Sequence, residues 1–291
     1  MPVVLEGLLT SVRPRQWSKN LIVLAPLAFS QRLTDPPSVR QALAAFSVFT
    51  AAAAAIYLFN DLIDRPQDRL HPLKRHRPLA AGTLAPRTAM VAAILLATTA
   101  LVAATILGLR FAILLAAYLV ANCLYSGFLK RVVILDVMIV SFGFVLRVGA
   151  GAAAIGVEVS TWLLLCTSFV SLLLAFSKRR HELVLLPGAG QRTVLSSYRL
   201  AFLDPVIGAL TAATILSYSL YAVAPETVEK FDTRSLIYTL PFVLYGVFRF
   251  LHLVYHVENE RSPTETMLSD KPFLFNILLW IGATVIVIYL P

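Results

Sequence analysis

The chain has 291 residues, of which 58% are hydrophobic and only 14% are charged, and its mean hydropathy is +0.77. A soluble domain carries about a quarter charged residues, so the composition excludes an ordinary soluble domain. The formal net charge of +9 points to membrane orientation and anionic ligands rather than to nucleic acid.

Long apolar runs separate the charged clusters. Runs of about 17–25 apolar residues cross a bilayer as helices, because backbone groups in lipid have no water to bond. The pattern predicts an all-α, polytopic transmembrane bundle of about nine spans in a single domain, residues 1–291. The predicted spans are 18–33, 41–60, 86–107, 110–128, 132–156, 161–178, 204–224, 235–257 and 272–290. The first is the shortest, and spans three and four meet in a tight turn at Gly108.

The basic residues between the spans orient the chain. Lys and Arg are enriched in cytoplasmic loops, and eighteen of the 25 Lys and Arg residues fall in the N-terminal tail and in the loops after spans two, four, six and eight. This predicts a multi-pass protein of the cell membrane with a cytoplasmic N-terminus and Pro291 outside. A cleavable signal peptide is not expected, because Met1–Thr10 is weakly apolar and Arg13 follows it.

An acidic motif closes the second span. Asp61, Asp64 and Asp68 are spaced three and four residues apart, so a helix places them on one face. Mg²⁺ prefers oxygen ligands and binds through a few carboxylates plus substrate phosphates. The spacing predicts that these acids are the catalytic metal ligands for Mg²⁺. Pro66 is expected to bend the helix, so that Asp68 lies on a restarted turn. The alternative is that the acids only solvate a helix end and pair with nearby arginines.

A basic segment, His71–Pro78, follows the acids and contains Lys74, Arg75 and Arg77. Cations beside an acid cluster suit a polyphosphate ligand, because metal bridges some phosphate oxygens and Lys or Arg binds the others. Orientation in the membrane, or attraction to lipid headgroups, explains the same charges without a ligand.

The combination of acidic motif, basic loop and about nine spans resembles the UbiA superfamily of intramembrane prenyltransferases over essentially the whole chain. The resemblance implies a helical bundle around a central cavity that opens sideways to lipid, with Mg²⁺ as cofactor. More narrowly, several motifs are similar to the branch that transfers the 5-phosphoribosyl group of phosphoribosyl pyrophosphate to decaprenyl phosphate, in the pathway to bacterial cell-wall arabinan. These motifs are Arg13–Asn20, Asn60-Asp61, His71-Pro72, Arg77-Pro78 and Ser177–Glu182.

One departure from the superfamily pattern follows span six. Typical members carry a second aspartate cluster there, whereas this chain has Lys178, Arg179 and Arg180, with Glu182 as the only acid of the motif. Fixed cations suit direct binding of a phosphate rather than a second metal. Two anionic substrates, phosphoribosyl pyrophosphate and a lipid phosphate, would bind better where cations replace the second aspartate cluster. The alternative is that these basic residues only mark the end of the span at the membrane surface.

The remaining substrate-binding candidates lie near the same predicted cytoplasmic face. They are Lys19, Asn60, Tyr125, Asp136, Glu182 and Tyr198. The two tyrosines could instead be interfacial anchors. Arg147 lies deeper in span five, and a structural role with Glu158 as its partner is expected, because both fall on one helical face.

Phosphoribosyl transfer is therefore the predicted reaction, with the lipid phosphate as nucleophile. Two alternatives stay open. A conventional member of the superfamily would move a prenyl group from a prenyl diphosphate to an aromatic acceptor, and a lipid or ion transporter would cause no covalent change. Small-residue runs permit close helix packing but leave homo-oligomerisation open.

Overall fold

The computed structural model describes residues 2–185, 193–256 and 262–290, and within these residues it contains helices and turns but no strand. The all-α prediction is confirmed. Contacts divide the chain into two compact units, the first formed chiefly by Met1–Val159 and the second by Ser160–Pro187 with Gln191–Pro291. The single-domain assignment stays a prediction, and Pro291 lies outside the described residues.

The helices of each unit follow one another with short connections. The first unit contains α1 (Pro2–Ser11), a 3-10 helix (Pro14–Leu24), α2 (Ala25–Phe29), α3 (Pro36–Leu70), a 3-10 turn (Lys74–His76), α4 (Pro78–Ala81), α5 (Pro86–Leu107), α6 (Leu109–Gly127), a second 3-10 turn (Leu129–Arg131) and α7 (Leu135–Ala154). The second contains α8 (Thr161–Leu185), a 3-10 turn (Thr193–Ser197), α9 (Leu200–Val223), α10 (Pro225–Phe231), a 3-10 turn (Ser235–Thr239), α11 (Leu240–His256), α12 (Pro263–Met267) and α13 (Lys271–Tyr289).

Eight helical segments of the described residues are long and apolar enough to cross a membrane, and they correspond to predicted spans two to nine. Gly108, with a φ of 121°, forms the tight turn between α5 and α6. A backbone angle in that range favours glycine, since it has no Cβ to clash. The predicted turn is therefore confirmed.

The first predicted span has a different form from the other eight. It is the 3-10 helix followed by α2, and it runs antiparallel to α3, because Arg13 contacts Asp61 near one end while Leu27 packs with Ala42 near the other. At about 1.5 Å per residue, the stretch of α3 between Ala42 and Asp61 is about 28 Å long. The hydrocarbon core of a bilayer is about 30 Å thick, so this segment matches the height of a crossing.

Helix α3 is the central element of the first unit and packs against α5, α6, α7 and the first 3-10 helix. Its alanine run, Ala52–Ala55, is buried, and Phe49 is buried one turn earlier beside Phe111 and Leu115. Small residues let neighbouring helices approach closely, which strengthens packing where lipid supplies no hydrophobic driving force.

The expected restarted turn after Pro66 is wrong, because α3 continues through this residue to Leu70. The bend at Pro66 stays a prediction: proline removes one backbone donor and disturbs one turn. Two arginines that flank this turn tie α3 to α4: the Arg65 Nε donates to the Leu79 carbonyl at 3.1 Å and the Arg69 Nε to the Ala80 carbonyl at 3.2 Å. These contacts stabilise the continuous helix and keep Asp68 in register with Asp61.

In the second unit, α8 packs along α9, and α11 packs against α13. Asp270 caps α13 by accepting a hydrogen bond from the Phe273 N–H at 2.9 Å, and Arg249 of α11 donates to both of its carboxylate oxygens at 3.1 and 2.8 Å. The hydrogen bonds from Arg249 lower the pKa of Asp270 below its ordinary value. The pair stays ionised at neutral pH and joins the two helices.

Candidate active site

Of the three acids near the end of α3, Asp61 and Asp68 share one basic partner, as two residues seven apart on a helix can, whereas Asp64 has a different partner. Asp61 and Asp68 are buried, and both bind the same guanidinium nitrogen: Nη1 of Arg77 is 3.0 Å from Oδ1 of Asp61 and 2.7 Å from Oδ2 of Asp68. A shared cation keeps two buried carboxylates close together, because it offsets their repulsion and desolvation.

Asp61 has a second basic partner, Arg13, whose Nη2 binds the same carboxylate oxygen. The Arg13 guanidinium also lies over the ring of Tyr57, 5.2 Å from its centroid. Arg13 precedes the first 3-10 helix and has a φ of 53°. This left-handed conformation costs a non-glycine residue about 1–2 kcal/mol, so local preference alone does not place Arg13 there.

Asp64 and Asn60 face residues at and beyond the end of α6. The carboxylate of Asp64 binds the ammonium group of Lys130, and the Oδ1 of Asn60 accepts a hydrogen bond from the Ser126 hydroxyl. The three acids of α3 are therefore paired with three cations. The acid cluster, used below for Asp61, Asp64 and Asp68, has no net charge together with Arg13, Arg77 and Lys130.

The basic loop after α3 folds back so that Arg77 reaches the acid cluster. His71 is buried at its start, and its Nδ1 accepts hydrogen bonds from the backbone N–H groups of Leu73 at 3.2 Å and Lys74 at 3.4 Å. Lys74 is half-buried, whereas Arg75 is exposed and donates to His76 at 3.4 Å. Of the three predicted loop cations, the structure brings Arg77 to the acid cluster.

The donor chemistry of the acid cluster fits Mg²⁺. Among the described residues, no three His, Cys, Asp or Glu side chains converge as a ready-made metal cage. Mg²⁺ does not need such a cage, since it usually binds through one or two carboxylates plus substrate phosphates. The buried carboxylates of Asp61 and Asp68, side by side on α3, match that requirement. The assignment of the acids as metal ligands stays a prediction.

Three further candidates of the first unit lie on other elements. Tyr125 is half-buried at the end of α6, beside Ser126, and Asp136 is fully buried in the first turn of α7. Lys19 is half-buried on the first 3-10 helix. The roles of these residues in substrate binding stay predictions.

The basic motif of α8 belongs to the second unit, and its members have different environments. Arg179 is buried and binds Oε2 of Glu182 at 2.5 Å, while Lys178 is exposed and lies 4.0 Å from Oε1 of the same acid. Tyr198 is buried and stacks on Phe202 with ring centroids 6.2 Å apart.

Arg180 connects three helices of the second unit. Its Nε binds Oδ1 of Asp204 on α9 at 2.7 Å, its Nη1 lies 3.4 Å from the Val254 carbonyl of α11, and its guanidinium lies 4.0 Å above the Tyr255 ring. Tyr255 also donates to Asp204 at 3.1 Å. These contacts occupy the guanidinium within the fold.

The predicted partner of Arg147 is wrong. Glu158 is exposed, whereas Arg147 is buried and donates to the Asn20 side chain, the Gly143 carbonyl and the Tyr118 hydroxyl at 2.8, 2.9 and 3.0 Å. The two residues share a helical face in the sequence pattern, but α7 ends at Ala154, before Glu158.

Two signals that sequence reasoning missed are the roles of Arg13 and Lys130. Spacing along the chain does not reveal these roles, because the partners Asp61 and Asp64 lie 48 and 66 positions away. The three acids have only two cations beside them in the sequence, Arg65 and Arg69, and this excess of negative charge is a signal that cations from other segments complete the cluster.

Comparison with known proteins identifies the family to which this chain belongs. A profile of the UbiA prenyltransferase family matches residues 21–182. The fold is similar to that of a UbiA homolog from Archaeoglobus fulgidus bound to GPP and Mg²⁺, with a TM-score of 0.72 over 97% of this chain and 99% of the other, at 20% sequence identity. The chain belongs to the UbiA prenyltransferase family and is a multi-pass membrane protein.

Relatives within the family are more similar in sequence. A decaprenyl-phosphate phosphoribosyltransferase from Mycolicibacterium smegmatis is 37% identical over 98% of this chain and 93% of its own length. Another from Corynebacterium glutamicum is 34% identical over 98% of this chain and 87% of its own. A third, from Mycobacterium tuberculosis, is 36% identical over 84% of this chain and 83% of its own.

Proposed function

We propose that this protein transfers the 5-phosphoribosyl group of phosphoribosyl pyrophosphate to decaprenyl phosphate. The observation that carries the proposal is its similarity, over nearly the whole chain, to relatives named decaprenyl-phosphate phosphoribosyltransferase. The composition of the α8 motif supports it, because cations stand there where other members of the superfamily have acids. The reaction forms a bond between a lipid phosphate oxygen and C1 of the ribose, breaks the bond from C1 to the diphosphate, and releases pyrophosphate.

The acid cluster and its cations would bind the donor. Asp61, Asp64 and Asp68 would hold Mg²⁺, which when bound neutralises charge on the diphosphate and so makes it a better leaving group. Arg13 and Arg77, which contact Asp61, would then bind diphosphate oxygens. Lys74 and Arg75 of the same loop would bind the remaining phosphate oxygens, and the side-chain amide of Asn60 would contact the ribose or the diphosphate.

The acceptor needs positioning more than activation. A phosphate monoester is already anionic near neutral pH, so no side chain has to remove a proton before it attacks C1. Bringing two anions together in the reactive orientation is the main task, and orientation can contribute about 7–11 kcal/mol to lowering a barrier. Lys178, the exposed cation of the α8 motif, would guide the lipid phosphate, while the prenyl tail stays in the bilayer.

The site would face the cytoplasm at the inner leaflet of the cell membrane. The basic loop after α3 and the basic motif of α8 both lie on the side that the charge distribution assigns to the cytoplasm. Phosphoribosyl pyrophosphate is water-soluble and highly charged, so it has to reach the site from an aqueous phase.

The test is a product assay with the purified protein in detergent with added lipid phosphate. Phosphoribosyl pyrophosphate and a prenyl diphosphate, each carrying a label, are offered in separate reactions. The lipid products are then identified by their masses in a mass spectrometer. We expect phosphoribose to enter decaprenyl phosphate only when a divalent cation is present. Prenylation of an aromatic acceptor, or transport without any covalent product, would refute the proposal.

A further inference from the structure

Arg147 is a buried cation in the middle of a membrane-spanning helix, and the proposed reaction does not use it. Its hydrogen-bond partners are neutral: Asn20, the Gly143 carbonyl and Tyr118. Its guanidinium also lies within 5.3 Å of three aromatic ring centroids, those of Phe49, Tyr118 and Phe144. Charged residues at membrane depth are costly and usually serve a function.

The partner that matters is Asn20, because it lies on the first 3-10 helix. Its Oδ1 accepts from the Arg147 Nε at 2.8 Å, and its Nδ2 donates to Thr50 of α3 at 3.1 Å. Asn20 therefore connects the first span to α7 and α3 at once. Tyr118 of α6 accepts a hydrogen bond from Arg147 and so joins the same cluster. Two long helices therefore contact Asn20 directly, and a third supports it through Arg147.

A 3-10 helix needs such external support. Its hydrogen-bond geometry is poorer than that of an α-helix, and long 3-10 segments are uncommon. One turn after Asn20, the backbone of Val23 lies directly against Gly151 of α7, where any Cβ would overlap the Val23 carbonyl oxygen. Tertiary contacts therefore set the height of this segment in the bundle.

The height of the segment decides whether Arg13 reaches the acid cluster. Arg13 pairs with Asp61, and Asn20 pairs with Thr50 of the same helix. The distance from Arg13 to Asn20 is about 14 Å at the 3-10 rise of about 2.0 Å per residue. From Thr50 to Asp61 it is about 16 Å at the α-helical rise of about 1.5 Å. A slip of one residue would move Arg13 by about 2 Å, which is more than an ion pair with direct hydrogen bonds tolerates.

We propose that Arg147 and Asn20 are positioning residues that hold the first span in the register where Arg13 meets Asp61. They act on the donor site through Arg13 and touch no substrate themselves. The inference rests on the proposed function, in which Arg13 binds the diphosphate of the donor.

The experiment is a double-mutant cycle on phosphoribosyl transfer, with Asn20→Ala, Arg13→Ala and the double variant. Asn20→Ala is expected to raise the KM for phosphoribosyl pyrophosphate, and to lower kcat/KM about tenfold, in the range of coupling between connected residues. In the Arg13→Ala background the same change should have almost no further effect, because the group it positions is gone. Thr50→Val, which removes one hydrogen bond with little change in shape, should show a smaller effect with the same dependence on Arg13.

The matched control is Tyr218→Phe in the second unit, which removes a buried hydroxyl that hydrogen-bonds to Thr239 at 2.6 Å and accepts from the Trp280 Nε1–H at 3.1 Å. General destabilisation lowers the amount of active enzyme and therefore kcat, leaves the KM unchanged, and is independent of Arg13. The Tyr218→Phe control should lower activity by the same factor with and without Arg13→Ala. If Asn20→Ala and Thr50→Val behave in the same way, so that their losses in kcat/KM multiply with the loss from Arg13→Ala, the positioning role is refuted. An active Arg13→Ala variant with normal KM also refutes it, whereas normal turnover in Asp61→Asn would refute the proposed donor site itself.

Discussion

The acids of α3 are balanced by cations that come from three other segments of the first unit. Arg13 precedes the first span, Arg77 lies in the loop after α3, and Lys130 follows α6. Buried carboxylates are costly without partners, so the cations stabilise the fold of the first unit. In the proposed function, a metal ion would compete with these cations for the carboxylates, and the cations would bind phosphate oxygens once the metal has replaced them.

This competition predicts that Mg²⁺ and diphosphate bind together. Mg²⁺ alone has to displace the cations, and pyrophosphate alone meets the carboxylates, so each by itself should raise the melting temperature of the purified protein little. Both together should raise it on the order of 5 °C, as expected for a ligand well above its Kd. The measurement is a thermal shift assay in detergent. A full shift with Mg²⁺ alone would contradict this account, and Asp61→Asn should abolish the joint shift.

The acid cluster should also be essential for turnover. Asp61→Asn and Asp64→Asn preserve side-chain shape but remove the negative charge, and we expect each to lower kcat on the order of 100-fold or more, as loss of one strong electrostatic contact in an active site does. Expression and membrane insertion should be normal. The matched control is Glu158→Gln, which changes an exposed acid of the same unit and should keep full activity. Near-normal rates in either aspartate variant would refute the metal-binding role.

At the scale of the elements, the end of α8 shows how a helix divides a run of like charges. Lys178, Arg179 and Arg180 are adjacent in the sequence, but successive residues point about 100° apart on an α-helix. Arg180 therefore faces α9 and α11, where it binds Asp204, while Lys178 is exposed. One motif thus contains a residue that holds helices together and a residue that is exposed.

This division predicts opposite effects of two substitutions. Arg180→Gln should lower the stability by about 1–3 kcal/mol, because it removes a charged hydrogen bond and leaves Asp204 without its partner, and the KM for lipid phosphate should change little. Lys178→Gln should leave the melting temperature unchanged and raise that KM. Melting curves and steady-state kinetics on both variants check this. A raised KM with unchanged stability in Arg180→Gln would assign Arg180 to the substrate instead.

For the whole molecule, charge distribution and helix count lead to one topology. Among the described residues, eight helices are long and apolar enough to cross a membrane. With the shorter first segment as a ninth crossing, a cytoplasmic N-terminus would place the loop after α3 inside and α10 outside. This predicted orientation rests on the loops and not on contacts between helices, because Lys and Arg in short loops near the ends of spans are enriched on the cytoplasmic side.

Cysteine labelling tests this topology. In a background with Cys123 and Cys166 replaced by alanine, single cysteines are placed at Thr83, in the basic loop region, and at Glu229, on α10; both positions are exposed. A membrane-impermeant maleimide should label Glu229→Cys in intact cells and Thr83→Cys only after permeabilisation. The reverse pattern would place the acid cluster on the outer face and exclude a cytoplasmic donor.

The sequence by itself determined the features that depend on spacing along the chain. Apolar run lengths predicted nine spans, of which eight are long helices in the structure; Gly108 predicted a turn, and the intervals between Asp61, Asp64 and Asp68 predicted a common face. These follow from the fixed rise and period of a helix, which are the same in any protein.

Only the tertiary structure decided which distant side chains meet. The pairs Arg13 with Asp61, Lys130 with Asp64, and Arg147 with Asn20 join positions 48, 66 and 127 residues apart, and where α3 continues through Pro66 its flanking arginines contact α4. Such partners are set by the heights at which helices pack against one another. That register comes from the packing of small residues and buried polar groups across several helices, which no local pattern specifies.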